Sequence, residues 1–266
     1  MLKKETQISR EDNLKNINEL STVASIGGGP IGAGWAAHFL AKGLNVKSYL
    51  HSEDEISDYR SLIKMAWETL EKLGVNKNAS IENMQIYTDL KESLTDVDFV
   101  QESIPEILAV KQDFYSQIDV FLKPDVIIAS STSGLLISDI VKKCHTRDRA
   151  IVGHPFNPPY LLPLVEVVAS EYTDKALIDK AVNFYGAFGK VPIVLKKEIP
   201  GFIATRLQEA LWREALHMVA NEEATPEQID LALINGPAPR MAYQGQCMAF
   251  HVACGEGGMA TNLDQF

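Results

Sequence analysis

Cysteine is scarce in this sequence: Cys144, Cys247 and Cys254 are the only three in 266 residues. An odd number cannot pair completely within one chain, and their spacing lacks the regularity of a metal site. Neither a disulfide framework nor a bound metal is expected, and the thiols read as structural. Basic residues are also outnumbered, with 25 Lys and Arg against 35 Asp and Glu, for a formal net charge of −10. No basic stripe is left to neutralise a nucleic acid backbone, so nucleic acid is not an expected partner. There is no long apolar run of the kind that crosses a bilayer. Residues 1–20 mix both charge signs without the apolar centre of a secretory signal, so a cytoplasmic protein with a polar N-terminal extension is expected.

What is present suits a globular protein. Hydrophobic residues make up 46% and charged residues 23%, enough to bury a substantial core. Thr22–Ile26 is short, β-branched and apolar, and it runs into Gly27-Gly28-Gly29-Pro30-Ile31-Gly32 and then a helical pattern to Ala41. A strand, a glycine turn and a helix in that order bind dinucleotides. Gly27 permits the turn, Gly29 admits a pyrophosphate, Gly32 allows close helix packing, and the helix start at Pro30 and Ile31 offers free N–H groups. A plain glycine turn is the alternative. The next strand, Asn45–Leu50, ends in Leu50, where the pattern calls for an acidic residue on the adenosine ribose. Glu53 or Asp54 is a candidate substitute. NAD is the expected cofactor, and NADP stays open because that acid is missing.

Further strands are expected at 98–101, 126–129, 150–152 and 191–195, with a helix at 109–121 between them. This alternation implies an α/β fold with a doubly wound, mostly parallel sheet over residues 21–197. From residue 198 the apolar residues recur at helical spacing, through Leu207, Leu211 and Met218, so a smaller all-helical domain is expected over 198–266.

His154 opens the segment His-Pro-Phe-Asn157-Pro-Pro, and Glu166 stands twelve residues later inside the apolar run Leu164–Val168. A carboxylate among aliphatic residues needs a partner. Paired with His154 it would fix the imidazole tautomer and stabilise its cation, leaving the second ring nitrogen to take a proton from an alcohol. Ser130-Ser131-Thr132-Ser133-Gly134 follows a buried strand, where ligands of such sheets gather, although a helix cap explains it equally well.

GGGPIG, QESIPE, SSTSGL, HPFNPPYLLPLVEVV and IPGFIATRL together resemble the L-3-hydroxyacyl-CoA dehydrogenase family, from Thr22 to the end of the chain. The resemblance implies His154 as general base, Glu166 as its orienting carboxylate and Ser133 on the substrate oxygen. It further implies that Glu106, Lys111 and Ser131 lie at the cofactor, that Asn157 and Thr205 face the substrate, and that the protein is a homodimer. EALWREAL and GEGGM resemble a branch of that family that oxidises L-carnitine. Thr205 stands where the acyl-CoA enzymes carry Asn, which favours this branch. Its cationic substrate suits aromatic walls, for which Trp212, Tyr243 and Phe250 are the candidates. Oxidation of a 3-hydroxyacyl-CoA or of L-gulonate is the alternative chemistry, and a non-catalytic crystallin-like relative is the alternative of a different class. Family members continue for several helical turns past the position of Phe266, so an incomplete helical domain is expected.

Overall fold

The computed structural model describes residues 20–265; the extension expected at 1–20 falls, except for Leu20, outside them. Eight strands form one sheet: β1 (Thr22–Ile26), β2 (Asn45–Tyr49), β3 (Met84–Tyr87), β4 (Phe99–Glu102), β5 (Ile127–Ser130), β6 (Ala150–Pro155), β7 (Leu164–Val168) and β8 (Val191–Val194). Their order is β3-β2-β1-β4-β5-β6-β7-β8. All neighbours are parallel except β6 and β7, which run antiparallel. The doubly wound α/β architecture is therefore present, with a reversed pair of strands at one edge.

The strand period of two explains the layers. Val23, Phe99, Ile127, Ile151 and Val167 enter one core cluster, and their neighbours Ala24, Val100, Ile128, Val152 and Val168 enter the other. The first cluster packs beneath α1 (Pro30–Ala41), α2 (Ile56–Leu73) and α6 (Lys175–Ala187). The second takes residues from α3 (Leu90–Leu94), α4 (Leu108–Ile118) and α5 (Ile137–Ile140). A parallel sheet covered on both faces needs apolar side chains on both, and these strands supply them. On α1 the apolar residues run all the way round, and Trp35, Phe39 and Leu40 have no exposure at all.

β3 has no counterpart in the sequence reading; the ends of the expected elements differ from it by a few residues, and one of those differences matters. β6 continues past Val152 to Pro155, so His154 lies on the strand rather than beyond it.

The chain divides by contacts between Thr205 and Arg206, later than the joint expected after Lys197. Glu198–Thr205 stays with the sheet because Glu198 Oε1 accepts from Ser138 N, Phe202 is fully buried, and Glu166 accepts from the next two amides. The second unit holds most of α7 (Ala204–Ala220) together with α8 (Pro226–Asn235), α9 (Pro237–Met241), α10 (Gln246–Ala253) and α11 (Gly258–Gln265). A reciprocal Thr225–Gln228 capping box opens α8. Among the described residues, no helix is long and apolar enough to cross a membrane.

Candidate active site

β1 lies between β2 and β4, and the chain leaves β1 and β4 toward opposite faces of the sheet. Ligands bind in the crevice that such a divergence opens. Here a cleft of about 870 Å³ is lined by Gly27, Gly28, Gly29, Tyr49, Ser103 and Ile104 among others. Gly27 has φ +113°, and a β-carbon there would lie 2.5 Å from the Ser103 carbonyl oxygen. One on Gly32 would collide with the Gly27 carbonyl oxygen. The turn therefore requires glycine at both places. Gly29, by contrast, has nothing within 4 Å of that position, and no side chain caps α1. An open backbone approach and a helix N-terminus with free N–H groups fit a dinucleotide pyrophosphate. The lining carries Glu55, Asp58 and Asp113 but neither Lys nor Arg, a poor setting for the additional phosphate of NADP.

His154 and Glu166 are directly opposed partners of the antiparallel pair β6–β7. Side chains opposed in this way share a face and reach one another. His154 Nδ1 donates to Glu166 Oε2 at 2.8 Å, since a carboxylate only accepts. Nε2 of the ring is thereby the basic nitrogen. The second carboxylate oxygen, Oε1, accepts from the backbone N–H groups of Ile203 and Ala204, both at 2.9 Å. Glu166 itself is fully buried. Burial pushes its carboxyl up, but the hydrogen bonds from His154, Ala204 and Ile203 outweigh it and hold the group below the usual carboxylate range. Phe156 and Phe202 pack beside the imidazole, each with its ring centre 5.5 Å away.

Ser133 follows β5, the parallel neighbour of β6, so it lies past the end of the sheet toward which His154 sits on β6. It is exposed, and its N–H donates to Glu106 Oε1 at 3.0 Å. Thr132 Oγ1 donates to the same oxygen at 2.5 Å. Glu106 thus holds the serine loop. Lys111 is only 1% exposed; its Nζ lies 2.6 Å from Glu102 Oε1 and 3.6 Å from Glu106 Oε2. Neither Glu106 nor Lys111 lines the cleft, and Glu102 draws the Lys111 ammonium inward. Ser131 Oγ accepts from Gln101 Nε2 at 2.9 Å and lies 2.8 Å from the hydroxyl of Ser103, which does line the cleft.

Two supporting residues went unseen in the sequence. Glu102 is fully buried and accepts from Lys111, Ile104 N, Tyr115 and Ser130. Gln101 accepts from the Tyr185 hydroxyl at 2.6 Å and donates to the Gly153 carbonyl at 3.2 Å, next to His154. Only the unusual burial of polar residues in β4 marks these groups, and burial is not a sequence observable.

The first of the domains matched, over residues 22–199, is the NAD-binding domain of 3-hydroxyacyl-CoA dehydrogenase, and residues 201–263 match the C-terminal domain of the same enzymes. The chain belongs to the 3-hydroxyacyl-CoA dehydrogenase family. It is an NAD-dependent dehydrogenase of 3-hydroxy acids, acting on a CH–OH group. An L-carnitine dehydrogenase of Nocardiopsis dassonvillei is 51% identical over 92% of this chain and 74% of its own. One of Streptomyces griseus is 48% identical over 93% and 74%. Among solved structures, an NAD-dependent 5-formyl-3-hydroxy-2-methylpyridine 4-carboxylic acid 5-dehydrogenase aligns with a TM-score of 0.85 at 29% identity, covering 92% of this chain and 79% of the other. The (S)-3-hydroxybutyryl-CoA dehydrogenase of Ralstonia eutropha gives 0.73 at 25%, over 92% and 85%.

Asn157 is exposed on the loop after β6, and Thr205 directly follows the Ala204 amide bound by Glu166. In the helical unit, Trp212 is 57% exposed and Tyr243 81% exposed, so neither is a core residue.

Proposed function

We propose that this dehydrogenase oxidises L-carnitine at C3 to 3-dehydrocarnitine, with His154 as general base. The observation that carries the chemical part is the 2.8 Å contact between His154 Nδ1 and Glu166 Oε2. It leaves Nε2 to accept the hydroxyl proton while the buried carboxylate stabilises the resulting imidazolium. Ser133, whose hydroxyl makes no hydrogen bond among the described residues, donates to the substrate oxygen. The glycine turn and the start of α1 hold the NAD pyrophosphate. NAD, when bound, accepts the hydride from C3, and the protein aligns that carbon and shields it from water.

The substrate is supported by the identity of about half the residues with proteins named for L-carnitine. The helical unit also offers exposed aromatic faces at Trp212 and Tyr243, the kind of surface that holds a quaternary ammonium group. The test is absorbance of reduced nicotinamide during incubation with NAD and, separately, L-carnitine, 3-hydroxybutyryl-CoA and L-gulonate. Turnover is expected with L-carnitine. Turnover with only one of the other two substrates would overturn the proposal.

A further inference from the structure

The carboxylate that the fold ordinarily places at the end of β2 is missing, and Leu50, fully buried in the core, stands there instead. The chain then makes a tight turn, Glu53–Glu55, before α2 begins. Three consecutive acids occupy that turn. Glu53 and Asp54 are exposed, whereas Glu55 is half-buried and lines the cleft. A β-carbon on Gly28 would lie 2.5 Å from Glu55 Oε2 and 3.2 Å from Leu50 Cδ2. The carboxylate therefore sits directly against the glycine turn, beside the residue that has lost the acidic function. It performs no structural task that would explain its inward position. As the residue preceding α2 it makes no capping hydrogen bond, and among the described residues its carboxylate accepts none at all.

We infer that Glu55 is the acceptor for the adenosine ribose hydroxyls of NAD, reaching the cleft from the start of α2 in place of the strand-end acid. This rests on the reading of the cleft as the NAD site. The adenosine half of a dinucleotide extends from the pyrophosphate across the end of β2. Gly28, Tyr49 and His51 line that path together with Glu55. A carboxylate there accepts two hydroxyls and repels a 2′-phosphate. Asp58, one turn further along α2 in the same lining, adds to that repulsion. Tyr49 responds to the same charge: burial first, and the Glu55 carboxylate next, raise its phenol, which stays neutral.

The experiment measures dissociation constants of the full chain by calorimetry for NAD, NADP and an NAD analogue lacking the adenosine 2′-hydroxyl. Wild type is expected to bind NAD about tenfold or more tightly than the analogue, the scale of one charge-assisted hydrogen bond. In Glu55→Gln that discrimination shrinks several-fold and NADP gains relative to NAD, while Glu53→Gln and Asp54→Asn behave as wild type. Equal wild-type affinity for NAD and the analogue would overturn the role of Glu55 without touching the cleft. So would a Glu55→Gln variant that keeps full discrimination. Failure of wild type to bind NAD at all would overturn the reading of the cleft, and this inference with it.

Discussion

Glu166 grips two things at once. One of its oxygens accepts from His154 Nδ1, and the other accepts from the backbone N–H groups that open α7. The His154 imidazole and the helix leading into the second unit thus depend on one buried carboxylate. Such a carboxylate needs all of its partners, since each lost hydrogen bond leaves a group desolvated without compensation.

Replacing His154 by Asn keeps a side chain of similar polarity and removes the ring nitrogen proposed as the base. Turnover is expected to fall about 10²- to 10⁴-fold with little change in NAD affinity, read by steady-state kinetics alongside calorimetry. Retention of more than half the wild-type rate would remove His154 from the role of base.

Glu166→Ala should be costly to the fold as well as to the rate. It strands the Ile203 and Ala204 amides and the His154 N–H, so a loss of about 1–3 kcal/mol in denaturant unfolding is expected. The double variant with His154→Asn should lower turnover little more than the worse single change, because the two residues act as a unit. The sign of the pH effect follows from the lowered carboxyl. Its contribution is fully present above the ordinary carboxylate range and is lost as pH falls through the folded value. Wild type should therefore lose stability toward acid more steeply than Glu166→Ala.

Lys190 holds the loop after His154, donating to the carbonyl oxygens of Pro159 and Leu162 with its ammonium 4.9 Å from the Trp35 ring centre. Burial first, and the charge of Lys42 next, push it down to about 7. Between that value and the ordinary lysine range near 10.5 the unfolded chain binds the extra proton, so stability rises with pH across this window. Lys190→Met removes the dependence. The melting temperature of wild type relative to the variant should climb from pH 7 to pH 10, and a flat difference would show that Lys190 stays charged.

Trp212 and Tyr243 are exposed, so replacing either by Leu should leave the melting temperature nearly unchanged. If they hold the trimethylammonium group, the Michaelis constant for L-carnitine rises several-fold while that for an uncharged 3-hydroxy acid does not. Equal changes for both substrates would leave these aromatics without a part in recognition.

Much of this protein was legible as pattern. The glycine turn after Thr22–Ile26 could be read because a buried strand, a φ of +113° at Gly27 and a helix start are all local demands on residue type. The His154–Glu166 pair was legible for a similar reason. A twelve-residue excursion returns the chain antiparallel to itself, and an acid inside Leu164–Val168 asks for a partner.

Other features depend on contacts that no local pattern encodes. Glu53, Asp54 and Glu55 are equivalent as letters; the turn before α2 decides that Glu55 alone of the three lines the cleft. Lys111 was expected at the cofactor, yet Glu102, nine residues earlier on β4, takes its ammonium into the interior. The joint with the helical unit lies past Lys197 because Phe202 and the amides of Ile203 and Ala204 are claimed by the sheet unit. The sequence by itself determined the periodicities, the turn chemistry and the pairing of His154 with Glu166, since these follow from short-range sterics and the cost of an unpartnered charge. Only the tertiary structure decided which of several similar polar side chains faces the cleft and which is buried as support, because that choice is made by packing between segments far apart in the chain.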